Sequence, residues 1–297
     1  MQQRTGWFRN ARALAQSPIG LGALYAFTAV AVAGYAIFGR DPSRLLGLPA
    51  WAAAFYAHSF GFFALGHVWL AMAVLAAMLT ARIGLRWVPA LGLLYMISLS
   101  SELAGTTWGV PFGEYQYSAL LAPMWFDRVP VVIPLSWFFM AVPTYALASR
   151  AVAAPASRIA VGSVILLAWD LALDPAMSYA TRYWIWGDAG PYYGMPGLNL
   201  FGWYVTGVVL MGGLALLRAE VWTARVGERW WAAFYLANLV LPLGMCAAAG
   251  LWTAVFATTA VLTVLAVFLT FAVRRSAPLV PERRHAVPAD LRREALR

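Results

Sequence analysis

The sequence predicts an all-α fold, a polytopic transmembrane helix bundle of about eight spans. Composition is the first reason: 62% of the 297 residues are apolar and only 11% are charged, against roughly 25% charged in soluble proteins. Length is the second, because repeated apolar runs approach or exceed the roughly 20 residues needed to cross about 30 Å of hydrocarbon. Pattern is the third. The runs do not alternate as the strands of a membrane barrel do, and a bilayer requires each segment to pair its own backbone groups, which a helix does.

The runs cover residues 19–39, 55–80, 87–104, 131–149, 159–179, 199–217, 230–249 and 251–273. Basic residues punctuate them. Arg4, Arg9 and Arg12 precede the first run, which is long enough to span and has no small-residue cleavage site, so it reads as a span and not as a cleaved leader. Arg40 and Arg44 divide the first run from the second, Arg82 and Arg86 the second from the third, and Arg128 the third from the fourth. Arg150 and Arg158 precede the fifth run, Arg182 the sixth, and Arg218, Arg225 and Arg229 the seventh. The seventh and eighth are separated only around Gly250.

All 21 basic residues are Arg. With eight spans and the N-terminus inside, 17 of them fall on the inner side and four on the outer. That is the bias expected of cytoplasmic segments, so both termini are expected in the cytoplasm and the protein in the cell membrane. Residues 1–275 read as one transmembrane domain, and residues 276–297 as a mobile Arg/Pro-rich cytoplasmic tail suited to anchoring topology or meeting anionic headgroups. The net charge of +9 is spread over loops and tail, which argues against nucleic acid as a partner. A lone Cys246 forms no internal disulfide. Absence of Lys excludes a retinal Schiff base.

Charged groups inside spans are costly and therefore informative. Glu102 ends the third run, and Asp170 and Asp174 lie near the end of the fifth. The i,i+4 spacing puts both aspartates on one helix face. The third and fifth spans run the same way, so Glu102 and Asp174 are expected at one leaflet, beneath two loops (105–130 and 180–198) rich in Gly, Pro, Trp and Tyr. Two carboxylates sharing a dry site do not both ionise, and a protonated acid near neutral pH is the expected result. Structural roles compete with this. Asp174 can satisfy backbone before Pro175, Glu102 can pair with Arg128, and many of the aromatic rings can be interfacial belt residues. His58 and His67, nine residues apart in the second run, are poorly spaced for a shared metal and read as interior histidines. No metal site is expected.

The loop motifs are more specific. Glu102-x-x-Gly105 is followed by Gly109-Val110-Pro111-Phe112-Gly113-Glu114-Tyr115-Gln116-Tyr117, then Val129-Pro130 and Ile133-Pro134-Leu135-x-Trp137. Later come Asp170-Leu171-x-Leu173-Asp174-Pro175, Trp184-x-Trp186 and Tyr192-Tyr193-Gly194-Met195-Pro196-x-x-Asn199-x-x-Gly202-Trp203. In this order they resemble the CruF-type carotenoid 1′,2′-hydratases, which include bacterial γ-carotene hydratases and haloarchaeal bisanhydrobacterioruberin hydratases. The resemblance covers about residues 50–250, with its core at 95–205. It implies hydration of the terminal C1′–C2′ double bond of an acyclic ψ end group, with no cofactor. The substrate would be a lipid-dissolved carotene of the lycopene or γ-carotene type, and other enzymes of the carotenoid pathway are candidate partners.

The residue chemistry suits such a reaction. A terminal alkene is a very weak base, so its protonation needs a buried acid, a face that stabilises a tertiary cation, and one ordered water. Asp170 or Asp174 is the expected acid, with Glu102 or Glu114 positioning water and Asn199 a further group able to hold it. Trp108, Tyr115, Tyr117, Trp184, Trp186 and Trp203 are the expected lining, each ring face worth about 0.5–2 kcal/mol against a cation. Two other readings remain. An intramembrane prenyltransferase could use Asp170-x-x-x-Asp174 as half of a diphosphate–Mg²⁺ site, but no second aspartate-rich motif is present. A proton-coupled transporter could use the same acids, though the two acid–loop–span units, 95–149 and 165–217, share little sequence beyond a Gly-x-Pro.

Overall fold

The computed structural model describes residues 19–276. Eight long helices follow one another. They are α1 (Ile19–Gly34), α2 (Ala50–Ile83), α3 (Val88–Trp108), α4 (Ile133–Ala151), α5 (Pro155–Asp174), α6 (Gly197–Leu216), then, after the one-turn α7 (Ala219–Thr223), α8 (Glu228–Ala249) and α9 (Trp252–Ser276). Wide π turns extend α1 over Tyr35–Gly39 and α5 over Pro175–Ala180. Each predicted run coincides with one of these helices to within a few residues. Prolines stand in the first turn of α3, α4 and α5, where the missing N–H costs nothing. Gly250, at φ +76°, closes α8 in the left-handed conformation and separates it from α9. The tail predicted for 276–297 lies, beyond its first residue, outside the described residues, as do Arg4, Arg9 and Arg12.

Among the described residues, six helical stretches are long and apolar enough to cross a membrane. One of them, Ala50–Trp108, is α2 and α3 joined by the tight turn Gly84–Trp87. The chain is thus a multi-pass, all-α membrane protein. Helix α4 is long enough but is not among the six, and its place in the bundle explains why. It packs against α2, α3, α5, α6, α8 and α9, and Trp137 to Thr144 are buried without a break around its whole circumference. A helix enclosed by protein does not have to match the apolarity of lipid, so α4 can carry Ser, Thr, Tyr and two prolines.

The loops gather at two ends. At one, the Arg40 guanidinium donates to the Ala248 carbonyl, Tyr35 to the Ala180 carbonyl at 3.4 Å, and the Thr253 amide to the Tyr193 hydroxyl at 3.2 Å. At the other, Arg150 donates to the Val226 carbonyl and Tyr145 to Glu220. The first end carries two small sheets. Strand β1 (Tyr115–Tyr117), in the α3–α4 loop, pairs antiparallel with β4 (Trp184–Trp186) in the α5–α6 loop, while β2 (Met124–Trp125) pairs with β3 (Val129–Pro130). The β1–β4 ribbon therefore ties the two aromatic loops together over the ends of α3 and α5.

Candidate active site

The ribbon's register decides the site. Tyr115 faces Trp186, Gln116 faces Ile185 and Tyr117 faces Trp184. Side chains alternate across a strand, so Gln116 and Ile185 are exposed while the four rings turn inward. Ring contacts couple the strands, with Tyr115 and Trp186 at 5.2 Å and Tyr117 and Trp184 at 6.0 Å between centroids.

Each strand serves one carboxyl group. Glu102 Oε2 accepts from the Tyr115 hydroxyl at 2.5 Å and the Tyr117 hydroxyl at 2.8 Å, and Oε1 accepts from Trp137 Nε1 at 2.8 Å. Asp174 Oδ1 accepts from the Ser178 hydroxyl at 2.8 Å and Trp186 Nε1 at 3.1 Å, and Oδ2 accepts from Trp184 Nε1 at 3.1 Å. A carboxyl group has about four lone-pair positions, so each acid keeps one for a proton or a water. Burial, and next the neighbouring Glu102 carboxylate, push the Tyr115 and Tyr117 phenols well above their ordinary range. Both remain protonated donors near neutral pH.

Two glycines make these approaches possible. A Cβ on Gly105, one turn beyond Glu102, would sit 2.8 Å from the Tyr115 hydroxyl and 2.9 Å from the Phe112 ring. A Cβ on Gly202 would sit 2.6 Å from the same Phe112 ring and 2.7 Å from the Pro111 carbonyl. Phe112 is thereby wedged between α3 and α6, setting where the β1 strand begins.

Glu102 and Asp174 line one cavity of about 40 Å³ together with Tyr115, Tyr117, Trp184, Trp186, Asn199 and Trp203. Trp203 stacks on Trp137 with centroids 4.1 Å apart and meets Trp169 edge-on at 5.9 Å. Asp170 is fully buried but does not line this cavity. Its Oδ2 accepts from Asn199 Nδ2 at 3.0 Å, and its Oδ1 has no protein partner. Asp170 thus reaches the cavity through Asn199. Among the described residues the one ion pair is Arg44–Asp41, both exposed, so the buried acids have no cationic partner. No three His, Cys, Asp or Glu side chains among the described residues converge as a metal shell.

Other expected positions fall elsewhere. Trp108 is 75% exposed, and Glu114 is exposed at the base of the ribbon, so neither lines the cavity. Trp108 ends α3 beyond the turn that carries Glu102, and Glu114 precedes Tyr115 by one residue, which in a strand sends it to the opposite face. Arg128 does not pair with Glu102, donating instead to the Thr106 carbonyl at 2.8 Å. His58 is exposed on α2 and not interior. His67 is interior, bonded to Asn238 Oδ1 at 3.1 Å and Thr28 Oγ1 at 3.3 Å. Trp137 and Ser178, which hold the carboxyls, were not among the expected site residues. Trp137 stands in the Ile133–Trp137 motif, at the start of the second turn of a helix that follows an aromatic loop, and Ser178 is four residues past Asp174. Both signals were available in the sequence.

Residues 63–265 match the profile of the family described as carotenoid biosynthesis protein, a match that takes in both loops and all three buried acids. Bisanhydrobacterioruberin hydratase of Haloarcula japonica is 31% identical over 145 residues, covering 47% of this chain and 47% of that protein. The chain is therefore aligned over about half the length of this curated relative. No solved structure matches. With more than half of its length matched, including the ribbon and the carboxyls beneath it, the chain belongs to the carotenoid biosynthesis protein family.

Proposed function

We propose that this protein is a carotenoid 1′,2′-hydratase that adds water to the terminal C1′–C2′ double bond of an acyclic ψ end group without a cofactor. One observation carries the reading. Two buried carboxyl groups from different helices line a single aromatic-walled cavity with no cation among its lining. In the proposed cycle Asp174 gives its proton to C2′, and a tertiary cation develops at C1′. The faces of Trp184, Trp186 and Trp203 stabilise that charge. Water held by Glu102 adds its oxygen to C1′ and loses a proton to Glu102. The proton must then return to Asp174 before the next turnover. Asn199 in the cavity wall and Asp170 behind it act as positioning groups.

Similarity to the bisanhydrobacterioruberin hydratase of Haloarcula japonica supports a hydratase. A diphosphate-handling prenyltransferase would need cations at the carboxyls, and no basic side chain lines the cavity. The substrate in this reading is a carotene dissolved in the bilayer. In the same reading the chain sits in the cell membrane as one transmembrane domain, with both termini in the cytoplasm. The test is expression in cells that make lycopene or γ-carotene. A product heavier by one water is expected, and it should form unchanged in EDTA-treated membranes. Absence of that product, with the protein present in the membrane, would overturn the proposal.

A further inference from the structure

Three cavities lie end to end. The largest, about 310 Å³, is a groove between α1 and α2, closed at its inner end by Met177, Tyr183 and Leu241. The second, about 70 Å³, shares Ala64, Met177, Tyr183 and Leu241 with that groove. It also shares Ile133, Ser136 and Leu173 with the cavity of about 40 Å³ that holds Glu102 and Asp174. From the groove to the acids, each neighbouring pair of cavities therefore has a common wall, and the volume falls at each step.

The rim and walls of the groove fit hydrocarbon. Val30, Trp51 and Phe55 at its rim are exposed by half or more, so it opens on the face that meets lipid. Inside, the Tyr35 hydroxyl donates to the Ala180 carbonyl, the Ser59 hydroxyl to the Tyr56 carbonyl and the Tyr183 hydroxyl to the Phe60 carbonyl. These hydroxyls are already used, so an apolar guest strands none of them. Burial also pushes the Tyr183 phenol up, keeping its proton on that bond.

We infer that the three cavities form one tapering lateral path that takes a linear isoprenoid hydrocarbon from the bilayer. Its leading end threads past Ala64 and Leu173 to the carboxyls, while its tail stays in the α1–α2 groove. The inference rests on the hydratase reading for the identity of the leading end, but the path itself is a binding site whose occupancy does not require turnover. The guest is linear because the two cavities beyond the groove hold only about 70 and 40 Å³, too little for a bulky end.

The closing experiment uses the full-length protein in membranes and a linear isoprenoid hydrocarbon bearing a diazirine. Photolabel is expected on the α2 segment around Phe60–Ala64 and around Met177 or Leu241. Unlabelled acyclic polyene should displace it, and phospholipid should not. Asp174→Asn should be labelled as well as wild type. Ala64→Phe, which puts a ring into the passage, should lose groove label and water-addition product together, because a reacting end held about 1 Å out of place costs on the order of 100-fold. Val209→Phe, on an exposed face of α6, serves as the control and should match wild type. Label spread over the outer faces of α9, or displaced equally by phospholipid, would overturn the inference and mark the groove as an ordinary lipid site. Hydrated product without groove label would overturn the path alone. Groove label without hydrated product would leave the path standing and overturn the hydratase reading.

Discussion

The α3–β1–α4 and α5–β4–α6 units share a plan that their sequences hardly show. In each, a helix ends near a buried acid, a three-residue strand follows, and the strand turns two rings onto that acid. The two strands then pair with each other. The donors differ, however. Glu102 is held by two phenols and one indole, Asp174 by two indoles and one serine hydroxyl. An indole N–H only donates, whereas a phenol both donates and accepts. The tryptophans can orient Asp174 but cannot take a proton from it. The tyrosines can pass a proton along as well as hold Glu102. That asymmetry favours Asp174 as the group whose proton goes to substrate, and Glu102 as the group that exchanges protons with water.

The sharpest way to break this comparison is to neutralise each acid in turn. Asp174→Asn should lose about 10²–10⁴-fold in hydration rate, the range over which a positioned proton donor contributes, at unchanged membrane abundance. Glu102→Gln should also lose activity, but less, because bulk water can accept the final proton. Asp170→Asn should be milder than either, since its side chain does not line the cavity. Product formed per unit of membrane protein reads all three. Full activity in both aspartate variants would remove the acid assignment altogether.

A second pair of variants sharpens the roles of the donors. Tyr117→Phe and Trp184→Phe each delete one hydrogen bond to a buried carboxyl, worth about 1.5–3 kcal/mol where the acceptor is charged. Both should reduce activity by about one to two orders of magnitude on that arithmetic. Only Tyr117→Phe should alter the solvent isotope effect on hydration, because only the phenol can relay a proton. Identical isotope effects in the two variants would mean that both halves of the site merely orient.

Gly105→Ala tests the packing beneath the ribbon and should act on stability more than on chemistry. Its Cβ would meet the Tyr115 hydroxyl and the Phe112 ring inside ordinary contact distance. Overpacking of this kind costs about 1–3 kcal/mol. Thermal unfolding in detergent should show the loss, and activity should fall only as far as Tyr115 is displaced from Glu102.

Much of the architecture was legible in the sequence because membrane spans obey a strong local rule. Apolar runs of the right length mapped onto helices, and the parity of span direction brought Glu102 and Asp174 to the same end. What was not legible depended on non-local pairing or on angular position. Nothing local says that residues 115–117 pair with 184–186, although Tyr-x-Tyr and Trp-x-Trp each carry the period of two that a strand imposes. With that register known, Glu114 must face outward, and Trp137 becomes the natural third donor to Glu102. His58 and His67 show the angular problem: nine residues apart on one helix, the first is exposed and the second is bonded in the interior. Helix α4 shows the reverse case, where composition understates a helix because protein and not lipid surrounds it.

The smallest effects belong to the two positions that lie nearest the site in sequence but outside it in space. Glu114 is one residue from Tyr115, and Trp108 is six from Glu102, yet both side chains are exposed. Exposed substitutions away from special features usually change stability by less than about 0.5 kcal/mol. Glu114→Gln and Trp108→Ala should therefore hydrate substrate at close to the wild-type rate, measured beside Glu102→Gln in the same cells. A large loss in Glu114→Gln would mean that the ribbon rearranges when substrate enters, turning the outer face of β1 inward. The one-donor-strand-per-acid arrangement would then not hold during the reaction, and the division of labour between phenols and indoles would fall with it.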